Sequence, residues 1–193
     1  MAGRFDTLPG GGAAVVLDDV EISILRSLAV QLMELIGPGD EPAEDADPLA
    51  ALFAEGPSEP PSDPALKRLF PDAYGGDSEE LRAAASDFRR YTENDLRARK
   101  REDALLVVRA LDGLSVEAAG EGGAVLELTA DESRAWLGAL NDLRLTIGTR
   151  LEVTDEEGEQ LYRLPDSDPR KPMVMAYLWL GALQESLVET LMS

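Results

Sequence analysis

The sequence predicts a mostly α-helical fold, a multi-helix bundle with a small two- or three-stranded β-sheet, read as a single domain over residues 1–193. Three observations predict it. Apolar residues recur at spacings of three and four through several long stretches, the period of a helix with one core-facing stripe. Capping-box patterns, Asp18 with Glu21 and Thr129 with Glu132, stand at the head of two of those stretches. Strand-like runs are few and short, at 13–17, 114–118 and 124–128. An apolar share of 44% supplies a core, and a chain of 193 residues buries roughly two-thirds of its unfolded surface, so no covalent staple is needed.

Taken in order, the first dozen residues, ending in Gly10, Gly11 and Gly12, read as a flexible lead-in, and Ala13 to Leu17 as an edge strand. Asp18 caps a helix whose stripe is Ile24, Leu25, Leu28, Leu32, Leu35 and Ile36, and Gly37-Pro38 stops it. Residues 37–63 hold eight acids, six prolines and no Lys or Arg, which predicts a mobile acidic loop with at most a short helix at 48–55. Pro64 to Phe70 is a short helix. Asp77 is the expected cap of a helical stretch running from Ser78 to about Leu111, with Leu81, Ala84, Ala85, Phe88 and Tyr91 as the apolar line of its first half. That stretch is one long helix, or two meeting near Tyr91, where Thr92 and Asp95 offer a second cap. Leu114 to Ala118 and Ala124 to Leu128 flank a glycine-rich tip and read as a hairpin, to which the 13–17 strand can add. Thr129 opens a helix through Trp136, Leu140 and Leu143, with Gly148 as its end. A linker with two acidic turns leads to a last helix near 172–192, striped by Tyr177, Leu180, Leu183, Leu187 and Leu191.

The chain has no Cys and no His. That removes thiolate nucleophiles, disulfides, the commonest general base and the usual zinc and haem ligands. No phosphate-cradling glycine loop occurs, and Asp166-Ser167-Asp168-Pro169 lacks the glycine and glutamate of a calcium loop. The expectation is a non-enzyme with no cofactor and no metal site. No apolar run reaches the length of a membrane span, and the opening residues lack the apolar core of a secretory signal, so the cytoplasm is the expected location. A net charge of −20 favours solubility and disfavours nucleic acid over most of the surface.

One stretch runs against that charge. From Arg82 to Arg101 seven basic residues face three acids, a local charge of +4. The candidate partner- or nucleic-acid-binding residues are Arg89, Arg90, Arg97, Arg99, Lys100 and Arg101 here, with Arg144 and Arg150 further on. The competing reading of the run is a solvated helix face. Asn141, Asp142, Arg144 and Arg150 among leucines also fit hydrogen bonding at a helix–helix junction. Two helices followed by a hairpin invite a winged-helix comparison for 78–128, but the wing would carry Glu117, Glu121 and Glu127 and no basic residue.

Three segments together carry a resemblance: DPALKRLFPDAY at 63–74, DFRRYTENDLR at 87–97 and WLGALNDLRLTIGTRL at 136–151. They resemble the actinobacterial domain-of-unknown-function family whose members are named oxidative stress transcriptional regulators (AosR), and the match runs from the first helix to the last. The resemblance implies a non-enzymatic cytoplasmic regulator of redox or cysteine-metabolism genes. Its expected partner is a protein of the transcription machinery or another regulator, with DNA as the alternative. A structural adaptor, dimeric through the C-terminal stripe, is the competing reading. Thiol sensing implied for the family needs a cysteine pair, which this chain lacks. Met173 and Met175 are oxidisable, though their spacing fits packing better.

Overall fold

A computed structural model describes residues 3–9, 11–37, 56–76, 78–114, 123–154 and 163–192. The order is β1 (Asp6–Leu8), β2 (Gly12–Leu17), α1 (Asp19–Ile36), α2 (Pro64–Leu69), α3 (Glu79–Asp112), β3 (Ala124–Leu128), α4 (Ala130–Arg150) and α5 (Lys171–Leu191). The helical bundle with a small sheet is as the sequence predicts.

The sheet differs in its parts. It is antiparallel with β2 in the centre, β1 on one side and β3 on the other, and Ala13 to Leu17 pairs with Leu128 to Ala124. The supposed flexible lead-in therefore supplies a strand. Phe5 is buried edge-on against Trp136 at 6.1 Å, and its backbone N–H donates to Ser186 Oγ at 3.1 Å. Burying one phenylalanine is worth about 2 kcal/mol, which is why so short a strand holds. Leu114 lies in a bend rather than a strand, and residues 115–122 of the expected hairpin lie outside the described residues. Alternation then does its ordinary work: Ala13, Val15, Leu17, Leu126 and Leu128 point into the core.

Gly12 is required by the close approach of the two strands. A Cβ there would sit 2.4 Å from the Leu128 carbonyl oxygen, a backbone atom that cannot step aside. Gly12→Ala is expected to cost about 1–3 kcal/mol by forcing the strands apart. Gly75→Ala, where a Cβ would meet nothing within 4 Å, is the control. Urea unfolding of both variants checks it, and equal midpoints would remove the argument.

Asp18 and Glu21 form the expected capping box of α1, and Thr129 and Glu132 that of α4. The core side of α1 is Leu25, Ala29, Leu32 and Ile36, while Ile24 is exposed. α3 is a single continuous helix of 34 residues, capped by Ser78, one residue beyond the expected Asp77. Thr92 does not cap a second helix: its hydroxyl donates back to the Phe88 carbonyl at 2.7 Å, a bond compatible with an unbroken helix. One continuous helix here leaves no helix–turn–helix, so the winged-helix comparison fails. α4 runs through Gly148 to Arg150. Gly148 is there for packing, because a Cβ would lie 3.2 Å from the Tyr177 ring of α5. The α5 stripe, Leu180, Leu183 and Leu187, is fully buried in the chain's own core, so a dimer through it is not open. Met173 and Met175, by contrast, stand exposed.

Of the expected acidic loop, residues 38–55 lie outside the described residues, as does Asp155 to Gly158 in the later linker. The loop's end is tied down: the Gly56 N–H donates to the Arg90 carbonyl at 2.8 Å. No described helix is long and apolar enough to cross a membrane.

Candidate interaction surface on the long helix

Only the second half of α3 is in the apolar core, through Ala104, Val107, Val108 and Leu111. In the first half the face turned inward is charged. Arg89, Glu93 and Arg97 stand at i, i+4 and i+8, one above another. Glu93 is 3% exposed, and its two oxygens go to the two arginines: Oε2 to Arg89, and Oε1 to Arg97 at 2.7 Å. The outer nitrogens of the arginines reach helix ends. Arg89 donates to the Phe70 carbonyl at 2.9 Å and pairs with Asp72 at 2.9 Å, while Arg97 donates to the Ile36 carbonyl. Phe70 is the C-cap of α2 and Ile36 the last residue of α1. The two guanidiniums thus satisfy carbonyls that a helix terminus leaves without partners, at the negative end of each helix dipole. Arg97 also lies over the Phe70 ring, 4.4 Å from its centroid.

Lys100 continues the inward face. Its ammonium bonds Asp142 of α4 at 2.7 Å, and Asp142 is 2% exposed. Burial pushes the Asp142 carboxyl up, against the bond and charge of Lys100, which pull it down. Burial also raises Asp103, one turn on from Lys100, with Arg99 opposing and the Asp142 charge adding to the rise.

Of the residues expected to meet a partner, Arg89, Arg97 and Lys100 are therefore spent on internal pairs. Arg144 is half-buried and also occupied, donating to Gln184 at 2.5 Å and lying 5.2 Å from the Tyr177 ring centroid. Arg150 bonds Asp63, the cap of α2, at 2.6 Å, and that bond holds the Asp63 carboxyl below its ordinary value. These two serve the α4–α5 and α4–α2 junctions. Arg90, Arg99 and Arg101 remain at the surface of α3. Arg90 pairs with Asp87 at 2.5 Å and lies over Tyr91, whereas Arg99 and Arg101 have no hydrogen-bond or ion-pair partner among the described residues.

The residues that sequence reasoning misplaced are the aromatics. Phe88 and Tyr91, expected on the core side, are 48% and 68% exposed, and Leu81 and Leu96 are exposed with them. Tyr74 packs edge-on to Phe88 at 6.2 Å, so the apolar surface runs on from the helix to the turn after α2. The available signal was the i, i+4, i+8 alternation of Arg89, Glu93 and Arg97, which marks a second face competing for the core. Several exposed large apolar side chains with three arginines around them have the make-up of a contact face rather than of a solvated helix. Among the described residues, no group of three or more Asp or Glu could hold a metal ion.

Comparison with known proteins gives a consistent result over nearly the whole chain. The family model described as Domain of unknown function (DUF2017) matches residues 2–191. The oxidative stress regulator AosR of Mycobacterium tuberculosis (strain ATCC 25618 / H37Rv) is 30% identical over 192 residues, 98% of this chain and 86% of the relative. The putative oxidative stress regulator AosR of Mycobacterium leprae (strain TN) is 31% identical over 193 residues, 98% of this chain and 87% of the relative. No solved structure matches. By the extent of the family match and of these alignments, the chain belongs to the DUF2017 family, together with mycobacterial proteins named as oxidative stress regulators.

Proposed function

We propose that the chain is a non-catalytic, cytoplasmic regulator of the oxidative-stress response that acts by docking the exposed half of α3 on a protein of the transcription machinery. The observation that carries this is the face formed by Phe88 and Tyr91 beside Arg90, Arg99 and Arg101. Aromatic and arginine side chains are the anchors most enriched in protein interfaces. A phosphate backbone fits less well. Three of the basic residues a nucleic acid would need are consumed internally, and Asp87, Asp95 and Glu102 stand among those that are left. Absence of imidazole and thiol supports regulation over catalysis.

Capture from native extract tests the reading. The full chain should retain an RNA polymerase subunit, a sigma factor or another transcription regulator, and Tyr91→Glu with Arg99→Glu should lower the yield at least tenfold while the fold is kept. Equal retention by the double variant sinks this surface. Salt-steep binding to duplex DNA, lost with Arg99→Ala, would instead favour the nucleic-acid alternative.

A further inference from the structure

The exposed face of α3 has a second property. Leu81, Ala84, Phe88, Tyr91, Asp95 and Ala98 are separated by three, four, three, four and three residues, the heptad seam of a two-helix coiled coil. None of the six is buried, and five of them are exposed. Their helix is unbroken throughout, so the spacing is a true stripe. We propose that this seam is covered by a second copy of the chain, as an antiparallel, two-fold symmetric dimer in which Phe88 packs on Tyr91 of the other copy.

Charge and size select that occupant and that direction. An antiparallel register with Phe88 against Tyr91 sets Ala84 opposite Asp95 and Leu81 opposite Ala98. The carboxylate of Asp95 then faces a small residue and keeps a route to water. A parallel pairing would set Asp95 against itself, two like charges in the seam. On the flank of the seam lie Glu80, Asp87 and Asn94, each one residue before a seam position, and Arg101, seven residues beyond Asn94. The antiparallel register places Glu80 beside Arg101 of the other copy, and by symmetry does so twice. Among the described residues, neither Glu80 nor Arg101 has a hydrogen-bond or ion-pair partner. The rest of the molecule discourages association, since the net charge is −20, whereas the groups of this stretch outside the buried pairs of Arg89, Glu93, Arg97 and Lys100, namely Arg82, Arg90, Arg99 and Arg101 with Asp87 and Asp95, are not in acidic excess. Copies therefore meet with least repulsion at this helix. A single helix pair is a small interface, so the dimer is weak, with half-dissociation at about 10–100 μM.

The inference rests on the same reading of α3 as a contact face, and implies that a protein partner and a second copy compete for it. The two are tested apart, because the mass of the purified chain needs no partner. Sedimentation of the full chain from 1 to 500 μM should pass from one to two chain masses. Tyr91→Glu should leave a monomer. Glu80→Arg alone and Arg101→Glu alone should each weaken the dimer several-fold, and together restore it. Direction is read with cysteines, which the native chain lacks. Ala84→Cys with Asp95→Cys should oxidise to a covalent dimer, while either substitution alone should not. Within one helix the two positions are eleven residues apart, about 16 Å, too far to bridge. A monomer at every concentration overturns the proposal. So does a dimer indifferent to Tyr91→Glu, or one cross-linked as readily by a single cysteine as by the pair.

Discussion

Glu93→Gln is expected to destabilise the chain by about 3 kcal/mol, the low end of the range for breaking a buried ion pair, and to lower Tm by roughly 10 °C for a chain of this size. Glutamine keeps the shape and some hydrogen bonding but removes the negative charge that bridges Arg89 and Arg97. The two guanidiniums would remain in the interior with like charge, one of them 4% exposed and the other 11%. The cost stays near the lower bound because Asp72 still pairs with Arg89 from the surface side. Strain would be felt at both helix ends that the arginines close, so amide exchange at the C-termini of α1 and α2 should quicken more than in α5. A second variant separates attraction from burial. Arg89→Met with Glu93→Leu removes one pair and leaves Arg97 free to turn outward, so it should recover much of the loss. If Glu93→Gln unfolds within about 0.5 kcal/mol of the native chain, the pairs are surface-like in energy and this account of α3 is wrong.

The same cluster shows why parts of this molecule are legible in sequence and parts are not. A capping box is a local object: Asp18 with Glu21 and Thr129 with Glu132 are completed within one turn, and both form as read. An apolar stripe with no rival is legible too, as Leu180, Leu183 and Leu187 demonstrate. α3 carries two rivals. Leu81, Phe88 and Tyr91 make one line, Arg89, Glu93 and Arg97 another, and hydrophobicity alone gives the core to the first. The chain gives it to the second because Arg97 meets a carbonyl 61 residues away and Arg89 one 19 residues away, partners that no window on the sequence contains. β1 fails for the opposite reason: three residues beside a run of glycines show no period, and what fixes them is Phe5 against Trp136, another remote contact. Gly148 misleads because glycine ends helices more often than it admits a neighbouring ring. The members of the basic run divide into internal clamps and surface arginines only in three dimensions.

Lys100→Met should cost about 3–5 kcal/mol near neutral pH, because it leaves the Asp142 carboxylate buried without a cation. Unlike the loss at Glu93, this one should fade in acid, and the sign follows from what holds the carboxyl where it is. Burial sets the folded Asp142 above its ordinary value of 3.8, and the hydrogen bond and charge of Lys100 are the first forces pulling it back. Without Lys100 the folded carboxyl titrates higher still, while the unfolded chain keeps the ordinary value. The folded state then takes up a proton that the unfolded state does not, so stability relative to the native chain is regained as pH falls. The penalty is complete above the variant's folded value, shrinks through it by at most about 1.4 kcal/mol per pH unit, and levels off near the native chain's folded value, itself above the ordinary 3.8. Asp103 moves the same way, since the Lys100 charge that also pulls it down is gone. Asp63, Asp112 and Asp168, which their arginine partners hold low, lose stability over the acid range in both proteins alike, so the difference between variant and native chain cancels them. Urea midpoints of the two chains measured from pH 8 to pH 4 should therefore converge. Parallel curves, a constant gap across the range, would mean that Lys100 contributes its aliphatic stem to the α3–α4 junction and that its charge is not what keeps Asp142 ionised.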